Sequence, residues 1–217
     1  MTNQLLIENT INFIRETLKG AEAGHDWFHV ERVWKTAKTI AKTEKADELT
    51  VELAALLHDI ADAKFHDGDE EIGPAKAKAF LRSAGLEENY ANHIASIIRN
   101  ISFKGGQTAA TIDCLELAIV KDADRLDAIG AIGIARAFHY GGYKNRELYN
   151  PAIPPQQNMS PEQYRSSTAP TINHFYEKLL LLKDLMHTET GRKMAQKRHD
   201  FMQTYLEEFY EEWNDGK

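Results

Sequence analysis

The run Ala54-Ala55-Leu56-Leu57-His58-Asp59-Ile60-Ala61-Asp62 decides how the rest of the chain is read. A histidine and an aspartate stand side by side in a stretch otherwise fit for a hydrophobic core. Burying an imidazole and a carboxylate is costly unless something compensates them, and a cation does so well. If the run is helical, His58 and Asp62 are i,i+4 neighbours and Asp59 and Asp62 are i,i+3 neighbours. All three then share one flank, while Leu53, Leu56, Leu57 and Ile60 cover the rest. Such a pattern is a site, or a very unusual core.

Helical spacing continues on both sides. Ile7, Ile11, Ile14 and Leu18 form a first amphipathic stripe ended by Gly20, and Asp26 is placed to cap a helix carrying Val30, Val33, Trp34, Ala37 and Ala41. The spacing predicts a third helix over about Asp47 to Asp62, a short one over Glu70 to Ser83, and another through Tyr90, Ile94, Ile97, Ile98 and Ile101. A helix over about Ala110 to Tyr140 follows, with Gly130 and Gly133 as places where it breaks or kinks. From Gly141 to Pro170 the chain turns rich in Gly and Pro and reads as a loop; Tyr143, Lys144, Arg146 and Tyr149 suit a lid over an anionic substrate as well as a packed surface loop. Two helices close the chain, one on Phe175, Leu179, Leu182 and Met186, the other on Phe201, Tyr205, Phe209 and Trp213. With no alternating pattern long enough for a sheet, the fold class is all-α.

The 217 residues suit one large domain with a substantial interior. A formal net charge of −7 argues against a general nucleic-acid or anionic-membrane surface, so an anionic substrate would need a local basic patch or a metal. Cys114 is the single cysteine, which excludes an intrachain disulfide and fits a reducing cytosol. No run approaches the length of a membrane span and the start lacks a signal-peptide pattern, so a cytoplasmic location is expected.

Two further segments offer metal ligands: His25-Asp26-Trp27-Phe28-His29 and Lys121-Asp122-Ala123-Asp124-Arg125-Leu126-Asp127. Imidazole and carboxylate ligands with room for water suit a divalent ion. His25 and His29 have the spacing of a zinc-protease helix, but the position after the first histidine holds Asp26 instead of the glutamate that motif needs. Three strings in order, Asp26-x-x-His29-x-x-Arg32-Val33, Leu57-His58-Asp59-Ile60 and Ala123-Asp124-Arg125-Leu126, resemble the HD-domain metal-dependent phosphohydrolases. The strings Asn173-His174-Phe175-Tyr176-Glu177-Lys178-Leu179-Leu180 and Thr188-Glu189-Thr190-Gly191-Arg192 are similar to a bacterial subfamily close to nucleotide pyrophosphohydrolases.

The resemblance implies an HD-type helical bundle as a single domain over 1–217, with its core at about 20–140, the loop at 141–170 and a C-terminal helical extension over 171–217 packed on the core. It implies metal ligands at His29, His58, Asp59 and Asp124. Asp122 lies about 200° around a helix from Asp124 and faces elsewhere, whereas Asp127 shares the face of Asp124 and suits a supporting or substrate-facing role. Asp62 stands as general base or water-orienting group, one turn beyond the ligand pair. Lys64, Lys104, His174, Lys178 and Arg192 are the candidates for holding phosphates, with Arg32 as either a phosphate contact or an ion-pair partner. His66 and His93 are the additions if two metals bind.

The function implied is cleavage of nucleoside or deoxynucleoside triphosphates to monophosphate and pyrophosphate, with Mn as the expected ion and Mg, Fe, Zn, Co or Ni as alternatives. The partner is a phosphorylated small molecule, not a nucleic acid or membrane; a homo-oligomer is compatible with the apolar stripes. A 5′-nucleotidase or cyclic-nucleotide phosphodiesterase uses the same chemistry. A non-haem iron oxygenase and a metal-stabilised regulatory module are readings of other classes.

Overall fold

The computed structural model describes residues 2–20, 26–61, 69, 71–101 and 112–215. By its internal contacts the chain divides into two compact units, 1–123 and 124–217. Among the described residues every regular element is helical, as the sequence predicts.

In the first unit α1 spans Asn3–Thr17, α2 Trp27–Glu44, α3 Glu48–Leu57, α4 Ile72–Ser83 and α5 Glu88–Ile101; α6, Leu115–Asp127, begins here and ends in the second unit. The helix α3 is central, packing against α1, α2 and α5. Its Val51, Leu53, Ala54, Ala55, Leu56 and Leu57 are fully buried, and each large apolar side chain contributes about 1.5–3 kcal/mol. Asp47 starts α3 by accepting the Leu49 N–H, and Thr50 donates to the same carboxylate. Asp26 starts α2 by accepting the His29 N–H at 2.9 Å, the cap that the sequence predicts. Phe13 of α1 stacks on Phe80 of α4 at 4.1 Å.

The expected helix to Asp62 stops earlier. Its last residue is Leu57; His58 keeps helical backbone angles as the cap, and the Ile60 N–H reaches back to the Leu57 carbonyl in a tighter turn. That turn lies close against the start of α4, where a side chain at Gly73 would come within 3.3 Å of the Ala61 carbonyl oxygen.

In the second unit α7 spans Gly130–Tyr143, α8 Pro161–Ser166 and α9 Asn173–Glu177; a 3-10 helix over Leu179–Leu185 and the long α10, Glu189–Trp213, follow. The expected helix through about 110–140 is two helices, with the break at Ala128-Ile129 and Gly130 at φ +75°. The expected loop 141–170 contains α8, started by a capping box in which Ser160 and Gln163 satisfy each other's backbone N–H.

The expected single helix through Phe175 and Met186 is α9 and a 3-10 helix, separated at Lys178, whose backbone (φ −144°, ψ −56°) is not helical. Phe175, Leu179, Leu182 and Met186 are nevertheless all buried. On α10 the buried face is Gly191, Ala195, His199, Met202 and Leu206, not the expected aromatic stripe: Phe201 and Trp213 are exposed. Tyr149 instead gathers Phe209, Tyr210 and Trp213 in edge-on contacts of 5.0–5.8 Å.

The α6–α7 break depends on Gly133, because a Cβ there would collide with the Ala128 carbonyl, which is backbone and cannot swing away. Gly133→Ala is expected to cost about 2 kcal/mol or more, whereas Gly142→Ala, with open space around it, should be neutral or stabilising. Urea unfolding of the two variants beside the parent chain checks this.

Candidate metal centre

The centre is built by two helix ends in the first unit. Asp26 caps α2 and so sets His29 in its first turn; the end of α3 supplies His58 and Asp59. The Nε2 atoms of His29 and His58 are 3.3 Å apart, and Asp59 Oδ2 lies 3.5 Å from the first and 3.7 Å from the second. Both imidazoles are 2% exposed and the Asp59 side chain 19%, so the carboxylate is the edge that faces water.

His58 Nδ1 is 2.8 Å from the Ala55 carbonyl oxygen. That nitrogen therefore carries the proton and donates, leaving the Nε2 lone pair turned toward His29 and Asp59. Two imidazole nitrogens and a carboxylate oxygen that all lie within 4.8 Å of one another are a donor set for one divalent cation, and the chemistry of the set fits that group.

The three ligand strings, the convergence of His29, His58 and Asp59 and the helical elements agree with what the family comparison finds: the HD domain matches residues 27–129. A protein of Bacillus subtilis, YpgQ, is 38% identical over 200 residues, covering 92% of this chain and 89% of its own. The chain belongs to the HD-domain family. An HD-superfamily hydrolase from Bacillus thuringiensis superposes with a TM-score of 0.79 at 43% identity, covering 98% of this chain and 99% of that one. A Lactobacillus plantarum protein superposes at 0.82 with 35% identity, covering 99% and 100%. YpgQ crystallised with ADP superposes at 0.74 with 32% identity, covering 98% and 97%. The HD chain is accordingly a hydrolase of this superfamily, with a divalent metal as the group its centre takes.

The remaining candidates fall in different places. Asp124 is half-buried on α6. Asp122 is fully buried and has interaction partners of its own. Asp127, 4% exposed, receives the Arg136 guanidinium at 2.6 Å, so its carboxylate helps to hold α7. Arg192 donates to the Met186 and His187 carbonyl oxygens that precede α10. Asp62, Lys64, Lys104, His25 and His66 lie outside the described residues. His93 stands with Cys114 and Glu116 rather than with His58.

His174 on α9 is half-buried, and its Nδ1 is 3.3 Å from the Tyr164 hydroxyl; the Lys178 ammonium lies over the Tyr164 ring at 5.4 Å. Burial, then the charges of Lys178 and Arg146, push the His174 imidazole down to about 3, so it is neutral at physiological pH. Burial also pushes the Tyr164 phenol up to about 12, which keeps it a donor. Tyr164 is the member of this group that the sequence did not single out. It sits on α8, within a stretch without helical spacing, and only the Ser160-Pro161-Glu162-Gln163 capping pattern marks that helix in advance.

Between pH 6.5 and about 3 the unfolded chain binds a proton at His174 that the folded chain does not. Stability therefore falls as pH drops through that window, at a limit of about 1.4 kcal/mol per pH unit. His174→Gln is expected to remove that component, so that unfolding midpoints at pH 7 and pH 5 differ less than in the parent chain.

Proposed function

We propose that the chain hydrolyses nucleoside or deoxynucleoside triphosphates to the monophosphate and pyrophosphate, with a divalent cation, most suitably Mn, held by His29, His58, Asp59 and Asp124. The observation that carries the hydrolytic reading is the convergence of His29 Nε2, His58 Nε2 and Asp59 Oδ2. Support for a nucleotide comes from YpgQ, a relative crystallised with ADP. When bound, the cation supplies Lewis acidity toward a phosphoryl oxygen and acidifies a water.

The chain's own residues do the rest. Asp62, three residues beyond Asp59, accepts the proton of the attacking water. Lys64, Lys104 and Lys178 offset charge on the polyphosphate as pyrophosphate departs. Neutral His174 orients a phosphate oxygen or sugar hydroxyl through its remaining ring nitrogen, while Tyr164 engages Nδ1. Asp127 and Arg192, already engaged with Arg136 and with backbone carbonyls, act by holding the second unit's helices in place.

A Mn-supplemented screen of nucleotides with separate detection of phosphate and pyrophosphate tests the reading. Pyrophosphate is the expected product, and His58→Ala should release none. Orthophosphate alone would reassign the chain as a nucleotidase, and ring opening of a cyclic nucleotide would make it a phosphodiesterase. Asp62→Asn should lower kcat by about 10²–10⁴-fold while Mn affinity, read by calorimetry, stays within about threefold.

A further inference from the structure

Three helix starts in the first unit meet away from His58. The Tyr90 hydroxyl of α5 is 2.8 Å from Thr50 Oγ1 and 3.3 Å from Asp47 Oδ2, which ties the start of α5 to the start of α3. The Asp47 N–H donates to Glu116 Oε1 at 3.2 Å and brings the start of α6 to the same place. At about 1.5 Å per residue, this end of α3 is roughly 16 Å from His58, so it is a separate region.

Here a ring nitrogen of His93, the Cys114 sulfur and a carboxylate oxygen of Glu116 all lie within 4.8 Å of one another. We infer that His93, Cys114 and Glu116 form a second metal site, for a soft divalent cation of the zinc class, with the fourth position left to water.

The donor types select the ion. Thiolate plus imidazole favours zinc-like cations over Mn or Mg, which prefer oxygen ligands, so this site and the HD centre would take different ions. Tetrahedral zinc at about 2.0–2.3 Å from each ligand holds its donors about 3.3–3.7 Å apart. Closing from the observed spread needs little movement. His93 is exposed and can turn inward, while Cys114 and Glu116 are half-buried in the first turn of α6 and its cap.

Occupancy would tie α5 to α6 between residues 93 and 114, adding a cross-link where the chain has no disulfide.

Because Cys114 is the single cysteine, a thiolate-to-cobalt charge-transfer band reports this site alone, whatever occupies the HD centre. Titrating the full chain with Co²⁺ should give a saturable band equal to one thiolate per chain, displaced by Zn²⁺. The band should vanish in Cys114→Ser and persist in His58→Ala, which separates this site from the proposed hydrolytic centre. His93→Ala and Glu116→Gln should each weaken the apparent Co²⁺ affinity at least about tenfold. In the His58→Ala background, Zn²⁺ should raise Tm, and the added Cys114→Ser change should abolish that rise. Absence of the band in the parent chain overturns the site. So does a band whose affinity neither His93→Ala nor Glu116→Gln alters, since the cysteine would then bind without them.

Discussion

The helix α3 is enclosed by α1, α2 and α5, and its apolar residues from Val51 to Leu57 are withdrawn from water. A helix placed this way leaves its final polar side chains little solvent to fall back on. His58 answers locally, donating through Nδ1 to the Ala55 carbonyl one turn back, and so turns its other nitrogen toward His29 and Asp59. The metal centre follows from that arrangement. Three donors too costly to bury apart become inexpensive around one cation, and the stop of α3 at Leu57 lets Asp59 stand at the wet edge of the trio.

The second unit is organised by charge on backbone as much as by apolar packing. Arg136 holds Asp127, Arg198 donates to the Leu126 carbonyl, and Arg125 donates to the Leu185 carbonyl. Arg198 and Arg136 satisfy the Leu126 and Asp127 carbonyls and the Asp127 carboxylate at the end of α6, where the chain breaks into α7 and the helix's last acceptors would otherwise lack partners, while Arg125 serves the end of the 3-10 helix. The electrostatics around His174 follow a different rule. Flanking cations and burial keep its ring neutral, suited to directional hydrogen bonding rather than to charge pairing.

Much of the fold was legible where a local rule decides. Asp26 as a cap, the apolar face of α3 and the spacing of Ile94, Ile97, Ile98 and Ile101 all follow from helical periodicity and are found in place. Elements set by competition between local rules were not legible. The stripe Phe175, Leu179, Leu182, Met186 fits an α-helix, yet the chain tightens to a 3-10 turn after Lys178 while burying the same four side chains. On α10 the aromatic residues suggested the inner face, but small Gly191 and Ala195 with Met202 occupy it. The rings of Phe209, Tyr210 and Trp213 collect around Tyr149 instead.

The sequence by itself determined the all-α class, the family and the pairing of His58-Asp59 with His29, because ordered ligand strings and helical spacing are properties of the chain alone. Only the tertiary structure decided which nitrogen of His58 faces the centre, because Nε2 meets His29 of another helix at 3.3 Å while Nδ1 is engaged by the Ala55 carbonyl. It also decided that Asp127 and Arg192 are engaged by the fold, and that His93 stands beside Cys114 and Glu116. Residues 21 positions apart carry no spacing signal; they meet where the starts of α5 and α6 are tied to the start of α3.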